Sequence, residues 1–239
     1  MNQGVYPLAA SMINQVNRLD QISNNLANVN TNGFKQEGLT ETTFNYYLQR
    51  AQDNGFIPTK INTVTNNIPK LDAKFISSEM GPIATTGNNL DFALTQADNF
   101  FKIQNMDGDI VYTRDGAFKN VDNFLVDSNG NNVLNADNEP IVVEGNFASQ
   151  IGVVQTAYTN LEKVGDNTYK ALEQNNIQVI ENNDNLIVQG AIEKSNVNSV
   201  TAMVELIDAH RRFDQSQKAI KTIDELNASL IEKIGNNTK

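Results

Sequence analysis

Leu19-Asp-Gln-Ile-Ser-Asn-Asn-Leu-Ala-Asn-Val-Asn-Thr-Asn-Gly-Phe-Lys35 holds a helix and the signal that ends it. Leu19, Ile22, Leu26 and Val29 recur at steps of three and four, the spacing of one helix face. Val5, Leu8 and Met12 carry the same seam upstream, interrupted once by Gln15. Pro7 sits near the start, where its missing N–H costs nothing. The stop is Asn28-Val-Asn-Thr-Asn-Gly33, with Gly33 able to take the left-handed conformation that closes a helix. A helix from Val5 to Asn28 spans roughly 36 Å.

Working outward, the far end of the chain also reads as a helix. Ser195, Asn196, Asn198 and Ser199 offer side-chain caps for its first turn. Val200, Val204 and Ile207 open an apolar stripe. Phe213, Ile220, Ile223, Leu230 and Ile234 continue it past the polar patch His210-Arg211-Arg212. Asp208 with Arg212 and Asp214 with Lys218 are favourable i,i+4 pairs.

Between the helices the pattern changes. Residues 35–70 are polar, contain Pro58 and Pro69, and read as an extended connector. Beyond them come short apolar runs and tight turns. Phe100–Gln104 and Ile110–Thr113 flank Asp107-Gly108. Ala117–Val121 follows Asp115-Gly116, and Phe124–Val126 precedes Asn129-Gly130. Asp-Gly and Asn-Gly between apolar runs are strong hairpin signals. Ile141–Val143, Ile151–Gln155, Ile177–Ile180 and Leu186–Ile192 are further strand candidates. The fold class is therefore mixed α and β. The expected division is 1–34 helix and stop, 35–70 connector, 71–193 all-β domain and 194–239 C-terminal helix.

Each terminal helix has an apolar face with no partner nearby in sequence. Burying one Leu or Ile is worth about 1.5–3 kcal/mol. An isolated helix cannot collect that and is marginal in water. The two helices are thus expected to pair with each other, with helices of other copies, or with both, as a coiled-coil-like layer.

Composition narrows the function. The chain has 239 residues, 39% of them apolar and 7% aromatic, with no Trp. That suffices for a modest core and is thin for a large enzyme. The formal charge of −10 repels phosphate backbones and anionic lipid, so nucleic acid and membrane surfaces are poor partners. Without cysteine there are no disulfides, thiolate metal sites or Cys nucleophile. No run of about twenty apolar residues marks a transmembrane helix. The N-terminus has no Lys or Arg before Arg18 and no continuous apolar region, so no cleaved signal peptide is expected.

Leu19–Lys35 closely resembles the N-terminal signature of bacterial flagellar rod and hook proteins. Thr86-Gly-Asn-Asn-Leu-Asp-Phe-Ala-Leu94 and Tyr112-Thr-Arg-Asp-Gly-Ala-Phe118 resemble the first part of that family's β domain. Gly190-Ala-Ile-Glu-Lys-Ser-Asn-Val-Asn-Ser-Val200 resembles the entry to its C-terminal helix. The resemblance implies a structural subunit with no enzyme activity, exported unfolded by the flagellar type III apparatus. It implies polymerisation in the periplasm, with copies of itself and with other rod, hook and basal-body proteins, into a hollow rod that transmits torque. The implied terminal helices line the channel and the β domain packs outside. Ala209-His-Arg-Arg-Phe-Asp214 resembles the proximal-rod F subunit more than the distal-rod G subunit.

The residues expected at assembly interfaces are Leu8, Met12, Leu19, Ile22 and Leu26 on the first helix and Ile207, Phe213, Ile220, Ile223 and Leu230 on the last. Asn24, Asn25, Asn28 and Asn30 join them, either as local caps or as a polar ladder that sets helix register. No catalytic, cofactor or metal residue is assigned. His210 is the only histidine and reads as a surface or contact residue. Asn105-Met-Asp-Gly-Asp109 and Asp127-Ser-Asn-Gly-Asn131 faintly resemble calcium loops but lack the sixth-position glycine and terminal Glu, so they read as hairpin turns. Arg114 and Asp115 read as an exposed turn with a surface charge pair, or as a subunit contact. The rival functions are a secreted adhesive or carbohydrate-binding β module with helical oligomerisation tails, and a peptidoglycan hydrolase.

Overall fold

Apolar periodicity of 3.6 at both ends and short alternating runs between them produce two kinds of unit. The computed structural model describes residues 5–43, 69–165, 167–180 and 185–236. The centre of the expected connector, with Pro58, lies outside those residues. Its described flanks are extended, and they pair: β1 (Glu37–Thr43) and β2 (Pro69–Ile76) form a two-stranded sheet.

The first unit contains α1 (Val5–Ala27) through Leu26, β1, β2 as far as Phe75, and α2 (Ser199–Asn236). Asn25 ties β1 to the last turn of α1. Its Oδ1 accepts from Glu37 N at 3.0 Å and its Nδ2 donates to Glu37 O at 2.8 Å. The helices differ in length: 23 residues against 38, or about 34 Å against about 57 Å. The shorter helix cannot cover the longer one.

The second unit contains Ala27–Gln36 and Ile76–Asn198. The residues just after α1, expected to belong with the helix, therefore fold with the strands. The strands are β3 (Ile83–Thr85), β4 (Phe92–Leu94), β5 (Asn99–Gln104), β6 (Ile110–Thr113), β7 (Lys119–Val121), β8 (Phe124–Val126), β9 (Asn132–Val133), β10 (Val153–Gln155), β11 (Leu161–Gly165), β12 (Thr168–Ala171), β13 (Gln178–Ile180), β14 (Ile187–Gln189) and β15 (Ala191–Glu193). The main antiparallel sheet runs β11-β12-β6-β5-β9-β8-β7, with β10 on β5 and β13 on β10. β14 pairs with β4 and β15 with β3. The expected run Leu186–Ile192 is two strands because Gly190, at φ +79°, turns the chain between them. Ile141–Val143 makes one isolated bridge, Val142 opposite Phe124, and Pro140 just before it makes another opposite Leu134.

β5 is the axis of this unit and is buried on both faces. Phe100 packs with Tyr112, Val154, Tyr158, Leu161 and Tyr169. Phe101 and Ile103 point the other way, toward Phe92, Phe118, Leu125, Val133 and Val153. Alternation sends neighbouring side chains to opposite faces, so Asn99-Phe-Phe-Lys-Ile-Gln104 serves two cores.

Three of the turns share one construction. In 105–109, 127–131 and 135–139 the first side chain accepts two backbone N–H groups, those of the third and fifth residues. Asn105 Oδ1 accepts from Asp107 and Asp109, Asp127 Oδ1 from Asn129 and Asn131, and Asn135 Oδ1 from Asp137 and Glu139. The fourth residue is left-handed in each: Gly108, Gly130 and Asn138 at φ +89°, +88° and +68°. This explains the two calcium-like stretches as turns, because their first oxygens already accept backbone hydrogens. It also accounts for part of the heavy use of asparagine. Replacing Asn135 by Ala leaves two N–H groups without their acceptor and is expected to cost about 1–2 kcal/mol, read as a lowered urea midpoint with unchanged slope.

Candidate functional site

The expected interface residues fall into three groups. Ile22 and Asn25 are buried, at 5% and 4% exposure. Leu8, Met12, Leu19, Leu26, Asn28, Phe213, Ile220 and Ile223 are half-buried. Asn24, Asn30, Ile207 and Leu230 are exposed. Met12 and Ile220 line one shallow groove with Gln217, Lys218, Lys221 and Asp224. Asn28 accepts a hydrogen bond from Thr31 Oγ1 at 3.1 Å, and Asn25 serves Glu37, so these two asparagines bond locally.

The stripe expected along α2 is corrected. Val200, Val204 and Ile207 do not continue into Phe213. The partly or fully buried seam is Ala202, Leu206, Ala209, Phe213, Ser216, Ile220, Ile223 and Asn227, in unbroken steps of four and three. Its first half is carried by alanines, whose small side chains give little hydropathy signal. At 100° per residue the Val200–Val204–Ile207 row lies on roughly the opposite side of the helix. Those three side chains are 70%, 55% and 52% exposed. α2 is therefore apolar on two faces and covered on one.

A buried cluster of charges joins the stop signal after α1 to the entry of α2. Glu193, on β15, is its centre. Its Oε1 accepts from Lys35 Nζ at 2.8 Å and from Gly81 N at 2.8 Å. Its Oε2 accepts from Arg114 Nε at 2.6 Å; Nη2 is also 2.6 Å away as an ion-pair contact but is not aligned as a donor. Arg114 Nη1 donates to the carbonyls of Gln96, Ala97 and Asn99, and Lys35 Nζ donates to Glu79 O at 2.6 Å. All three side chains are at most 1% exposed.

Backbone bonds complete the junction. Gly33 N donates to Glu193 O at 2.7 Å, Asn196 N to Phe34 O at 3.3 Å, and Gln36 N to Asn196 Oδ1 at 2.7 Å. Lys194 Nζ donates to Asn32 Oδ1 at 3.1 Å and Asn167 Nδ2 to Asn32 O at 2.8 Å. Gly33 is required twice over. Its φ is +65°, and a Cβ there would strike the backbone of Arg114. Asn196, expected as a helix cap, instead holds Gln36, and its Nδ2 reaches Glu79 O at 2.9 Å.

The reading of Arg114 and Asp115 as an exposed pair is overturned. Arg114 is 1% exposed and anchored to Glu193. An Arg-Asp-Gly turn has surface composition, and nothing local reveals a carboxylate placed 79 residues away. His210 is exposed as expected.

Burial, then the nearby Arg114 charge, lowers the pKa of Lys35, while Glu193 opposes both. Two cations share one carboxylate, so Glu193 is the group whose loss is least tolerable. Glu193→Gln keeps the volume and leaves both cations without a countercharge. It is expected to cost about 3–5 kcal/mol, measured by thermal or urea unfolding. Adding Lys35→Met should recover part of that loss, as contacting residues do not add.

Burial pushes the Asp115 carboxyl up to about 6, opposed by the N–H of Ala117 and reinforced by Asp127. The unfolded value is near about 3.9. The folded state thus binds the extra proton between these values, so this group's contribution to stability falls as pH rises from about 4 to 6. Asp115→Asn keeps the acceptor for Ala117 N and cannot ionise. It is expected to flatten that slope and raise stability at pH 7 by about 1–3 kcal/mol, read from melting temperature against pH.

Three family models match consecutive stretches: "Flagella basal body rod protein" over residues 9–35, "Flagellar hook protein FlgE/F/G D1 domain" over 95–191, and "Flagellar basal body rod FlgEFG protein C-terminal" over 188–232. The flagellar basal-body rod protein FlgG of Agrobacterium fabrum is 30% identical, over 94% of this chain and 96% of its own length. The rod protein FlgF of Rhizobium meliloti is 30% identical over 98% of this chain and 99% of its own length. The hook-basal body complex protein FlhO of Bacillus subtilis is 27% identical over 98% of this chain and 99% of its own.

Proposed function

This chain belongs to the flagellar basal-body rod family, and on that premise we propose that it is a subunit of the proximal rod, polymerising in the periplasm into a hollow, torque-bearing tube. The observation that carries the proposal is the second apolar face of α2. Val200, Met203, Val204 and Ile207 are 70%, 51%, 55% and 52% exposed. Toward the far end Leu226, Leu230 and Ile231, which do not continue that row, are also 58%, 50% and 65% exposed. On α1, Ile13 and Val16 are 62% and 41% exposed. Covering side chains of this kind stabilises by roughly 1 kcal/mol or more each. Helices of neighbouring subunits would supply that cover along the length of α2.

In the proposed assembly α1 and α2 form a coiled-coil-like layer through the seam of α2, and the outer rows meet helices of other copies and of other basal-body proteins. Contacts between unlike faces repeat head to tail, and a rotation that does not close yields an open helical filament. Export unfolded through the flagellar type III apparatus, without a cleaved signal peptide, is part of the same proposal. The proximal assignment is supported by Ala209-His-Arg-Arg-Phe-Asp214. Ala209 and Phe213 take seam positions there while His210, Arg211 and Arg212 face outward.

Val204→Asp with Ile207→Asp places two charges on the exposed row and none on the covered seam. The variant is expected to be exported with an unchanged circular dichroism spectrum, and to give non-motile cells whose basal bodies lack a complete rod by electron microscopy. Normal swimming would sink the proposal. In a deletion strain, a long rod stub in place of one cut short near the membrane would move the subunit to the distal rod.

A further inference from the structure

Two Asn-Gly steps fall among the described residues, and the fold treats them oppositely. Gly33 is buried, its N–H donates to Glu193 O at 2.7 Å, and its backbone lies against that of Arg114. Asn32 beside it is held through its side-chain oxygen by Lys194 at 3.1 Å. Asn129 and Gly130 are exposed at the tip of the β8–β9 turn. The Gly130 N–H reaches Asp127 O only at 3.3 Å, and the one heavy atom near its missing side chain is Met106 Cε, at 3.8 Å.

We propose that Asn129 is a site of spontaneous covalent modification through attack by the main-chain nitrogen of Gly130 on its side-chain carbonyl carbon. The bond from Gly130 N to Asn129 Cγ forms, and the bond from Cγ to Nδ2 breaks. Ammonia leaves, carrying the proton lost from the glycine nitrogen, and a cyclic imide remains. Water then opens the imide. Breaking the new bond gives aspartate, and breaking the original main-chain bond gives isoaspartate, whose backbone runs through Cβ. No oxidant or reductant is involved.

The turn explains both selectivity and consequence. Attack requires the glycine nitrogen to leave its hydrogen bond and the asparagine side chain to swing over it. At the tip of an exposed turn this is a local motion, whereas at Gly33 it requires opening the buried junction. In isoaspartate, one more backbone atom separates the Asn129 and Asn131 N–H groups, both of which donate to Asp127 Oδ1 at 2.8 Å. Either product adds a carboxylate beside Asp127, whose charge already raises the Asp115 pKa.

The test is ageing of the full chain in mildly alkaline buffer, followed by peptide mass mapping and enzymatic methylation of isoaspartyl groups. Conversion at Asn129 is expected to be more than about tenfold faster than at Asn32 in the native protein, and the difference is expected to vanish in urea. Asn129→Gln should remove the isoaspartyl signal from that peptide. Equal native rates at the two positions, or an intact Asn129 after Asn32 has converted, would overturn the proposal.

Discussion

One carboxylate holds together stretches of chain that lie far apart in sequence. Glu193 takes Lys35 from 158 residues upstream and Arg114 from 79, with the backbone of Gly81 as a third donor. Taking three charged groups out of water costs several kcal/mol per ion before their attraction is counted. Apolar side chains of the same volume would bury as well. They would not, however, demand one arrangement. A carboxylate surrounded by an ammonium, a guanidinium and an N–H accepts few alternatives, and the carbonyls of Gln96, Ala97 and Asn99 fix the far side of the guanidinium.

The consequence reaches the helices through the chain itself. The segment that follows α1 is bonded to the segment that precedes α2: Gly33 to Glu193, Phe34 to Asn196, and Asn196 to Gln36. The two segments that lead to the helices are thus bonded to each other within the β unit.

Much was legible beforehand. Apolar spacing marked both helices, because 3.6-residue periodicity survives without knowledge of the partner. Asp107-Gly108 and Asn129-Gly130 marked hairpins, because left-handed turn positions favour glycine whatever surrounds them. Asn135–Glu139 builds the same turn with Asn138 in place of glycine, and that substitution hid it. The α2 seam was misread at its start because Ala202 and Ala209 carry it, while the conspicuous Val200, Val204 and Ile207 face outward. Burial of an alanine depends on what approaches it, which hydropathy does not record.

By itself the sequence determined the local choices of this protein: helix at each end, and strand and turn between. It also carried a family signature whose last two residues, Phe34 and Lys35, had no visible reason. The tertiary structure alone decided that Lys35, Arg114 and Glu193 meet, that the backbone of Arg114 lies against Gly33, and which face of α2 stays open. Those outcomes rest on long-range packing and on desolvation of charge. Both depend on distances between residues that no window along the chain contains.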